Sequence, residues 1–561
     1  MNNNKNMNPI ISLKNFRSFG EDGADFELAP ITILTGCNSA GKSSLVKALM
    51  LLSEKSTDGL GNIHFSSKLN ISSKELSLGG YKSVTHEDGV ISMSYRIWSA
   101  DLQEELIVKR EFRANRFDAL NNGALSNLTV QKKDGTIVFQ MELSSFDNTI
   151  STFNHYYNSV KYEFNRFFAV GCYMYFKETL LPMLERKKET QKYKYSNKVN
   201  RSDAVLNIVK KRLESVNITE MEAAMLWGQF NQDTWKAVIG ATELINNEFI
   251  SISDIEKFPE ENDLELMINT FLEHVVNDVC SPFFSHNIEY INSASAQIAR
   301  LYSVEDNNKM CNALRMFNDR KILCHKLASV RSIAYFKPGG FLNKWVKMFG
   351  IGDGIEVNGT EEGLGLMVYL YKEKERGLPE PIVIGLDAAV YPNTIMERRL
   401  LADEGYGITQ LVALLLQIDN CIPISIHLAP DDEYYYNKHK KFKPKTICVE
   451  EPEIHLHPKY QSMLAEMFVE AYQKYNIHFI IETHSEYLIR KLQVLVADKE
   501  NALTANEVSL NYVEKDENGV SHNRQIKIEE DGNLSDSFGT GFYDEADTLA
   551  IQLFRNKPIL S

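Results

Sequence analysis

Residues 31–44 read Ile31-Thr32-Ile33-Leu34-Thr35-Gly36-Cys37-Asn38-Ser39-Ala40-Gly41-Lys42-Ser43-Ser44. From Gly36 to Ser43 they match Gly-x-x-x-x-Gly-Lys-Ser/Thr in full. The apolar run before the loop has the length of a buried strand. The run after it, SLVKALMLLSEK, has the apolar spacing of a helix. Strand, glycine-bounded loop and helix, in that order, is the setting in which this pattern holds phosphate. The glycines let backbone amides turn toward phosphate oxygens, and the helix N-terminus adds a positive dipole. Gly36, Asn38, Ser39, Ala40, Gly41, Lys42, Ser43 and Ser44 are therefore the expected nucleotide-binding loop. Lys42 is expected to neutralise β- and γ-phosphate charge and the Ser43 hydroxyl to ligate Mg²⁺.

A phosphate loop needs carboxylates for its metal and its attacking water. Thr446-Ile447-Cys448-Val449-Glu450-Glu451 is an apolar strand ending in two of them. It has the form of a Walker B element, with Glu450 as the Mg²⁺-directed acid and Glu451 as the base that orients water. The usual first acid is Asp; Glu is longer and reaches the metal through water. The next apolar strand, His478-Phe479-Ile480-Ile481, runs into Glu482-Thr483-His484-Ser485. His484 lies 33 residues after Glu451, where a γ-phosphate-sensing His is expected. Between loop and acids, Asp403-Glu404-Gly405-Tyr406-Gly407-Ile408-Thr409-Gln410 leads into the apolar helix LVALLLQI. It reads either as a second anion-binding helix start or as a plain cap with Thr409 capping. His455 and His457 form His-x-His, which reads as a turn rather than a metal site.

Working outward, residues 10–143 alternate short apolar runs with turn residues. ISMSYRIW and EELIVKREF have the period-two pattern of half-buried strands. Residues 153–346 are mostly helical in pattern, and strands return from Gly354. A strand-rich region at each end of a helical middle implies an α/β domain split by an insertion. The expected division is 1–150, an N-terminal lobe with the phosphate loop; 151–345, a helical insertion; and 346–561, a C-terminal lobe with the remaining motifs. The chain has 561 residues, 61 Lys plus Arg and 75 Asp plus Glu, a net charge of −14. That balance excludes a protein that coats nucleic acid with its whole surface. Seven scattered cysteines without a CxxC pair exclude a disulfide framework and fit a reducing cytoplasm. There is no signal-peptide core and no apolar run of membrane-spanning length, so a cytoplasmic protein with no membrane partner is expected.

Taken together, the loop, DEGYGITQ, TICVEE and THS resemble the ABC-type ATPases of the SMC, RecF and OLD group. The order is that group's, and so is the gap of 408 residues between Lys42 and Glu450. More narrowly, FRSFG, LSLGGYKSV, DEGYGITQ, EEPEIHLHP, THSEYLIRKL and GFYDEAD are similar to the stand-alone AAA ATPases found beside bacterial anti-phage nucleases. The similarity extends to those of Septu (PtuA-like) and certain retron systems. The resemblance covers residues 10–143 and 333–554. It implies an α/β, ABC-type P-loop ATPase head with ATP and Mg²⁺ as cofactors, catalysis by Lys42, Glu451 and His484, and metal ligation by Ser43 and Glu450. It implies head-to-head pairing, with Gly405, Gly407, Thr409 and Gln410 closing in trans on the partner's γ-phosphate. It adds Arg17 as a base- or ribose-side contact and a separate nuclease effector as partner. OLD nucleases append a Toprim domain with a DxD motif. The 77 residues after His484 contain no DxD, so no nuclease activity is expected in this chain.

Residues 186–212 hold ten Lys/Arg and two acids, with Tyr193 and Tyr195 interleaved. They fit a phosphate-backbone grip with aromatic stacking, a solvated helix end, or a contact to an acidic partner. Lys438 to Lys445 carries five lysines after the acidic, aromatic DDEYYY, which offers local pairing as well. The expected function is an ATP-hydrolysing switch that controls a separate nuclease in phage defence. The alternative is a RecF-like repair or maintenance ATPase acting directly on DNA.

Overall fold

A computed structural model describes residues 8–53, 55–57, 63–65, 68–73, 76, 78–85, 89–99, 104–114, 122–135, 137–143, 155–157, 288–292, 299–303, 305–306, 308–331, 340–360, 363, 365–375, 394–423, 426, 444–500, 503–539, 542 and 544–555. The chain divides into two compact units. One comprises residues 1–25 and 47–286, the other 26–46 and 287–561. The phosphate loop thus joins the C-terminal motifs in the second unit.

The first unit is built on an eight-stranded sheet. Its strands are β1 (Ile10–Lys14), β2 (Ala24–Glu27), β6 (Lys68–Leu69), β7 (Ile91–Ser99), β8 (Glu104–Ala114), β9 (Gly123–Lys132), β10 (Ile137–Leu143) and β11 (His155–Tyr157). They run in the order β11-β10-β9-β8-β7-β1-β2, with β6 on β9. A two-stranded hairpin, β4 (Lys55–Thr57) and β5 (Ile63–Phe65), accompanies it. The period-two pattern has the expected result. Ile91, Met93 and Tyr95 of β7 are buried and pair across the ladder with Phe112, Arg110 and Val108 of β8. The short helix α2 (Tyr81–Val84) supplies Tyr81, whose hydroxyl lies 2.5 Å from the Phe112 carbonyl and accepts the Ile91 N–H at 3.1 Å.

The second unit holds a six-stranded sheet of β3 (Ile31–Gly36), β12 (Ile288–Ile291), β17 (Lys445–Glu450), β18 (Ile477–Glu482), β19 (Val508–Lys515) and β20 (Ser521–Ile526). The order is β12-β17-β18-β3-β19-β20, parallel except for the last pair. A parallel sheet is covered on both faces, so its strands read as continuous apolar runs. Every residue of β3 is buried, as are Thr446 to Val449 of β17. A second sheet has β13 (Tyr302–Ser303), β14 (Gly354–Gly359), β15 (Gly365–Glu375) and β16 (Thr394–Leu400), with β15 between the other three.

The described helices of this unit are α3 (Lys309–Arg331), α4 (Gly340–Met348), α5 (Tyr406–Cys421), α6 (Pro458–Tyr475), α7 (Glu486–Ala497) and α8 (Glu545–Arg555); α1 (Lys42–Ser53) starts here and crosses the unit boundary. Leu411, Val412, Leu415 and Leu416 of α5 share one core with Ile31, Ile33, Val449, Phe479 and Ile481 of the sheet. Each such side chain contributes roughly 1.5–3 kcal/mol by leaving water. Helix starts follow local chemistry. The His457 ring accepts the Lys459 N–H and Pro458 opens α6; Asn476 ends it in the left-handed region. Ser485 caps α7 by accepting the Leu488 N–H at 3.2 Å.

This is an α/β P-loop ATPase fold: the strand that runs into Thr483 and His484 lies between the acidic strand and the loop strand. Of the expected helical insertion, residues 158–287 lie outside the described residues. The described part of its remainder carries β11, which belongs to the first unit, and β12, β13, α3 and the start of α4, which belong to the second.

Candidate nucleotide site

The loop begins where β3 meets β19. Val513 is the register partner of Gly36. A Cβ added at Gly36 would sit 2.0 Å from the Val513 carbonyl oxygen, and the residue has φ +132°. Only glycine fits. Ser39 at φ 58° and Gly41 at φ 102° then turn the chain through the left-handed region, the backbone an amide nest requires. Cys37, Asn38 and Ser39 are exposed, Ala40 is buried, and the Ser44 N–H bonds the Gly41 carbonyl at 2.9 Å to close the first turn of α1. Ser43 is half-buried at the helix start and Ser44 is buried.

Lys42 is folded back over its own loop. Its Nζ donates to the carbonyls of Cys37 at 2.9 Å and Gly36 at 3.3 Å. Burial lowers its pKa, while the charges of Glu482, Glu451 and Glu453 work in the opposite direction. The ammonium therefore sits near the carboxylates of β18 and of the turn after β17.

Glu450 closes β17, and the Tyr290 hydroxyl of β12 donates to its carboxylate. Burial first, and that carboxylate second, hold the phenol in its protonated form. Glu451 is in the left-handed region at φ 46°. A non-glycine residue there costs about 1–3 kcal/mol. Its N–H is fixed to the Glu482 carbonyl at 2.7 Å, so the outlier is anchored to the neighbouring strand end. Thr483, next along, donates its N–H to Leu34 of β3 at 3.0 Å. The three strand ends are thus tied through their backbones.

Glu453 was not marked by sequence reasoning. Its carboxylate accepts the His484 N–H at 2.7 Å, joining the turn after β17 to the His loop. Burial pushes its carboxyl up, against the pull of that N–H. Its only sequence signal is the third Glu of EEPE. His484 as a whole is exposed, yet partial desolvation and the charge of Lys42 lower its imidazole below the ordinary range. Lys42, Glu451 and His484 therefore share one electrostatic neighbourhood.

Mg²⁺ fits this donor set. A serine hydroxyl and a carboxylate are hard oxygen ligands, and Mg²⁺ takes few protein ligands beside water and phosphate. No cluster of three or more His, Cys, Asp or Glu suited to a metal occurs among the described residues.

Gly405 is the exposed N-cap of α5, with open space around it. Gly407, Thr409 and Gln410 are turned inward. A Cβ at Gly407 would lie 2.5 Å from the His455 carbonyl oxygen, and Thr409 is 0% exposed. Thr409 does not cap the helix; it faces back toward the Gly405 carbonyl at 3.5 Å. The His455 ring meets the edge of Tyr406 at 5.1 Å, and His457 caps α6. Both histidines have structural employment. Arg17 lies in the first unit, with φ 56° and its N–H on the Val84 carbonyl at 2.7 Å. Residues 186–212 lie outside the described residues, as do 438–443 of the second lysine run.

Family models match at both ends of the chain. Residues 11–270 match an AAA domain, and residues 393–489 match an AAA ATPase domain. Both ends carry AAA-type sequence. With the loop geometry, these matches support an ATP-binding ATPase. Residues 503–553 match a protein family of unknown function, DUF3696. No curated protein matches the chain. Among solved structures, the SMC head domain from Thermotoga maritima is similar at 11% identity and TM-score 0.33, over 93% of this chain and 99% of that one. An Smc head domain with an extended coiled coil, bound to the C-terminal domain of ScpA and derived from Pyrococcus furiosus, is similar at 13% identity and TM-score 0.31, over 98% of this chain and 100% of that one. These likenesses are distant, and the fold stands on strand order and loop geometry. No helix among the described residues is long and apolar enough to cross a membrane.

Proposed function

We propose that the chain is an ATP-hydrolysing switch of the SMC/RecF/OLD type. In this proposal two heads pair on ATP, and their closure controls a separate nuclease effector in a bacterial anti-phage system. The observation that carries the ATPase part is the convergence of Lys42, Glu451 and His484 at three strand ends tied by backbone hydrogen bonds. The defence role is supported by the sequence resemblance.

In the proposed mechanism the loop amides and Lys42 bind the β- and γ-phosphates. Bound phosphate draws Lys42 away from its loop carbonyls, and the ammonium offsets the phosphate charge beside the surrounding carboxylates. Glu451, fixed by its own N–H, orients the attacking water and accepts its proton. His484 reaches toward the γ-phosphate side and is held there by Glu453. Ser43 and Glu450 would hold Mg²⁺, whose chemistry is to neutralise phosphate charge. Gly405 and Tyr406, the exposed end of the DEGYGITQ segment, form the face offered to the partner's nucleotide. A site completed by a second head is bistable, since ATP binds the closed pair better than the open one.

The test is native mass with and without ATP, on wild type and Glu451→Gln. A mass doubling that depends on ATP and persists in Glu451→Gln is expected. A monomer under all conditions would overturn head pairing. Tight, salt-sensitive DNA binding, lost on charge reversal of Lys187, Lys188 and Lys192, would point instead to direct action on DNA.

A further inference from the structure

Helix α5 carries a polar residue that neither packing nor surface exposure explains. Gln410 is 8% exposed, and its Oε1 has no hydrogen-bond partner among the described residues. A buried amide oxygen left unpaired costs about 1–3 kcal/mol, so such groups are normally satisfied from elsewhere. Gln410 lines a small pocket that it shares with Glu450 and Asn292, with apolar walls from Ile291, Leu414 and Val449. Glu450 already takes the Tyr290 hydroxyl, and a carboxylate has further acceptor sites. Two acceptor side chains on one small, otherwise largely apolar pocket can be satisfied together by a single water, which has two protons to donate.

We propose that Gln410 is a positioning residue for Glu450, acting within its own subunit through a bridging water in the pocket the two side chains share. The consequence is mechanical as well as chemical. Gln410 lies five residues along from Gly405, the exposed N-cap of the same helix. Contact at the exposed end of α5 is therefore transmitted to the metal-side carboxylate beneath it. This inference rests on the assignment of Glu450 to the metal side.

The experiment measures the Mg²⁺ concentration that half-saturates binding of a fluorescent ATP analogue, an equilibrium readout that needs no turnover. Gln410→Met keeps the shape and removes the amide; Gln410→Glu keeps shape and acceptor oxygen. Gln410→Met is expected to raise half-saturating Mg²⁺ about fivefold to tenfold, the loss of one water-mediated hydrogen bond. The KM for ATP at saturating Mg²⁺ stays unchanged. Gln410→Glu is expected within about twofold of wild type. Gln410→Met in a Glu450→Gln background adds no further shift.

Unchanged Mg²⁺ dependence in Gln410→Met, with Glu450→Gln shifted, overturns the inference and leaves the metal-side assignment standing. Equal shifts in the Met and Glu variants overturn it too, since the acceptor then does not matter. A shift in Gln410→Met with none in Glu450→Gln overturns the assignment of Glu450 instead. Should the Met variant fail to fold, Gln410→Asn, one methylene shorter, is scored by the same criteria.

Discussion

The antiparallel sheet of the first unit and the parallel sheet of the second use strands in opposite ways. In the first, β8 buries alternate residues, and in β7 Ile91, Met93 and Tyr95 form the buried apolar row, with Ser92 buried beside them. Cross-strand packing does the work, and Tyr81 pins two strands by its hydroxyl. In the second, β3 and β17 are buried throughout their middles, and the chemistry collects where burial stops. Gly36, Glu450 and Glu482 are the last residues of β3, β17 and β18. A parallel sheet puts the ends of consecutive strands at one edge, so residues hundreds of positions apart meet there. An antiparallel sheet alternates its ends and gathers no such row.

The difference predicts which changes strike function and which strike only stability. The largest effect falls on Lys42. Lys42→Met is expected to lower ATP hydrolysis roughly 10²- to 10³-fold and to weaken nucleotide binding, with the unfolding midpoint close to wild type. Binding by a fluorescent ATP analogue checks it; undiminished binding would break the parallel-edge account.

Next comes a pH effect confined to the second unit. Burial pulls the His478 pKa on β18 down to about 4. The ordinary value is near 6.5, so the unfolded chain binds this proton first as pH falls. His478 therefore favours the folded state fully above pH ~6.5, and that contribution, about 3 kcal/mol, is lost as pH falls from ~6.5 to ~4. Urea titrations at pH 7 and 4.5 are expected to show a smaller pH loss in His478→Phe than in wild type.

Gly407→Ala is expected to cost about 1–3 kcal/mol, because the added methyl meets the His455 carbonyl at 2.5 Å. The same change at exposed Gly405, where nothing lies within 4 Å, is expected within about 0.5 kcal/mol. Smallest for function is Tyr81→Phe in the first unit. It should cost about 1–2 kcal/mol on chemical denaturation and leave nucleotide affinity unchanged. A weakened affinity there would blur the contrast between the sheets.

Much of the candidate site was legible as strands and strand ends because its motifs are written in contiguous residues. The loop from Gly36 to Ser43, the Glu450–Glu451 pair and His484 each follow an apolar strand, and the structure has those strands. ISMSYRIW and EELIVKREF likewise appear as β7 and β8, since period two is a local property. What stayed hidden depends on partners distant in the chain. Tyr290 bonds Glu450 from 160 positions upstream, with no local signal in its own strand. Gly407 reads as one more glycine until His455 is found against it. DEGYGITQ left open whether it is an anion-binding helix start or a plain cap, because the way its side chains turn is set by packing. The answer for Thr409 and Gln410 is inward.

The most direct test of the account is phosphate release by wild type and Glu451→Gln, measured with the nucleotide retained on each. Glu451 stands at a strained strand end beside Lys42 and is assigned the proton of the attacking water. The account predicts release reduced by roughly 10²- to 10⁴-fold in Glu451→Gln, with ATP still bound. Equal release from the two proteins would contradict it.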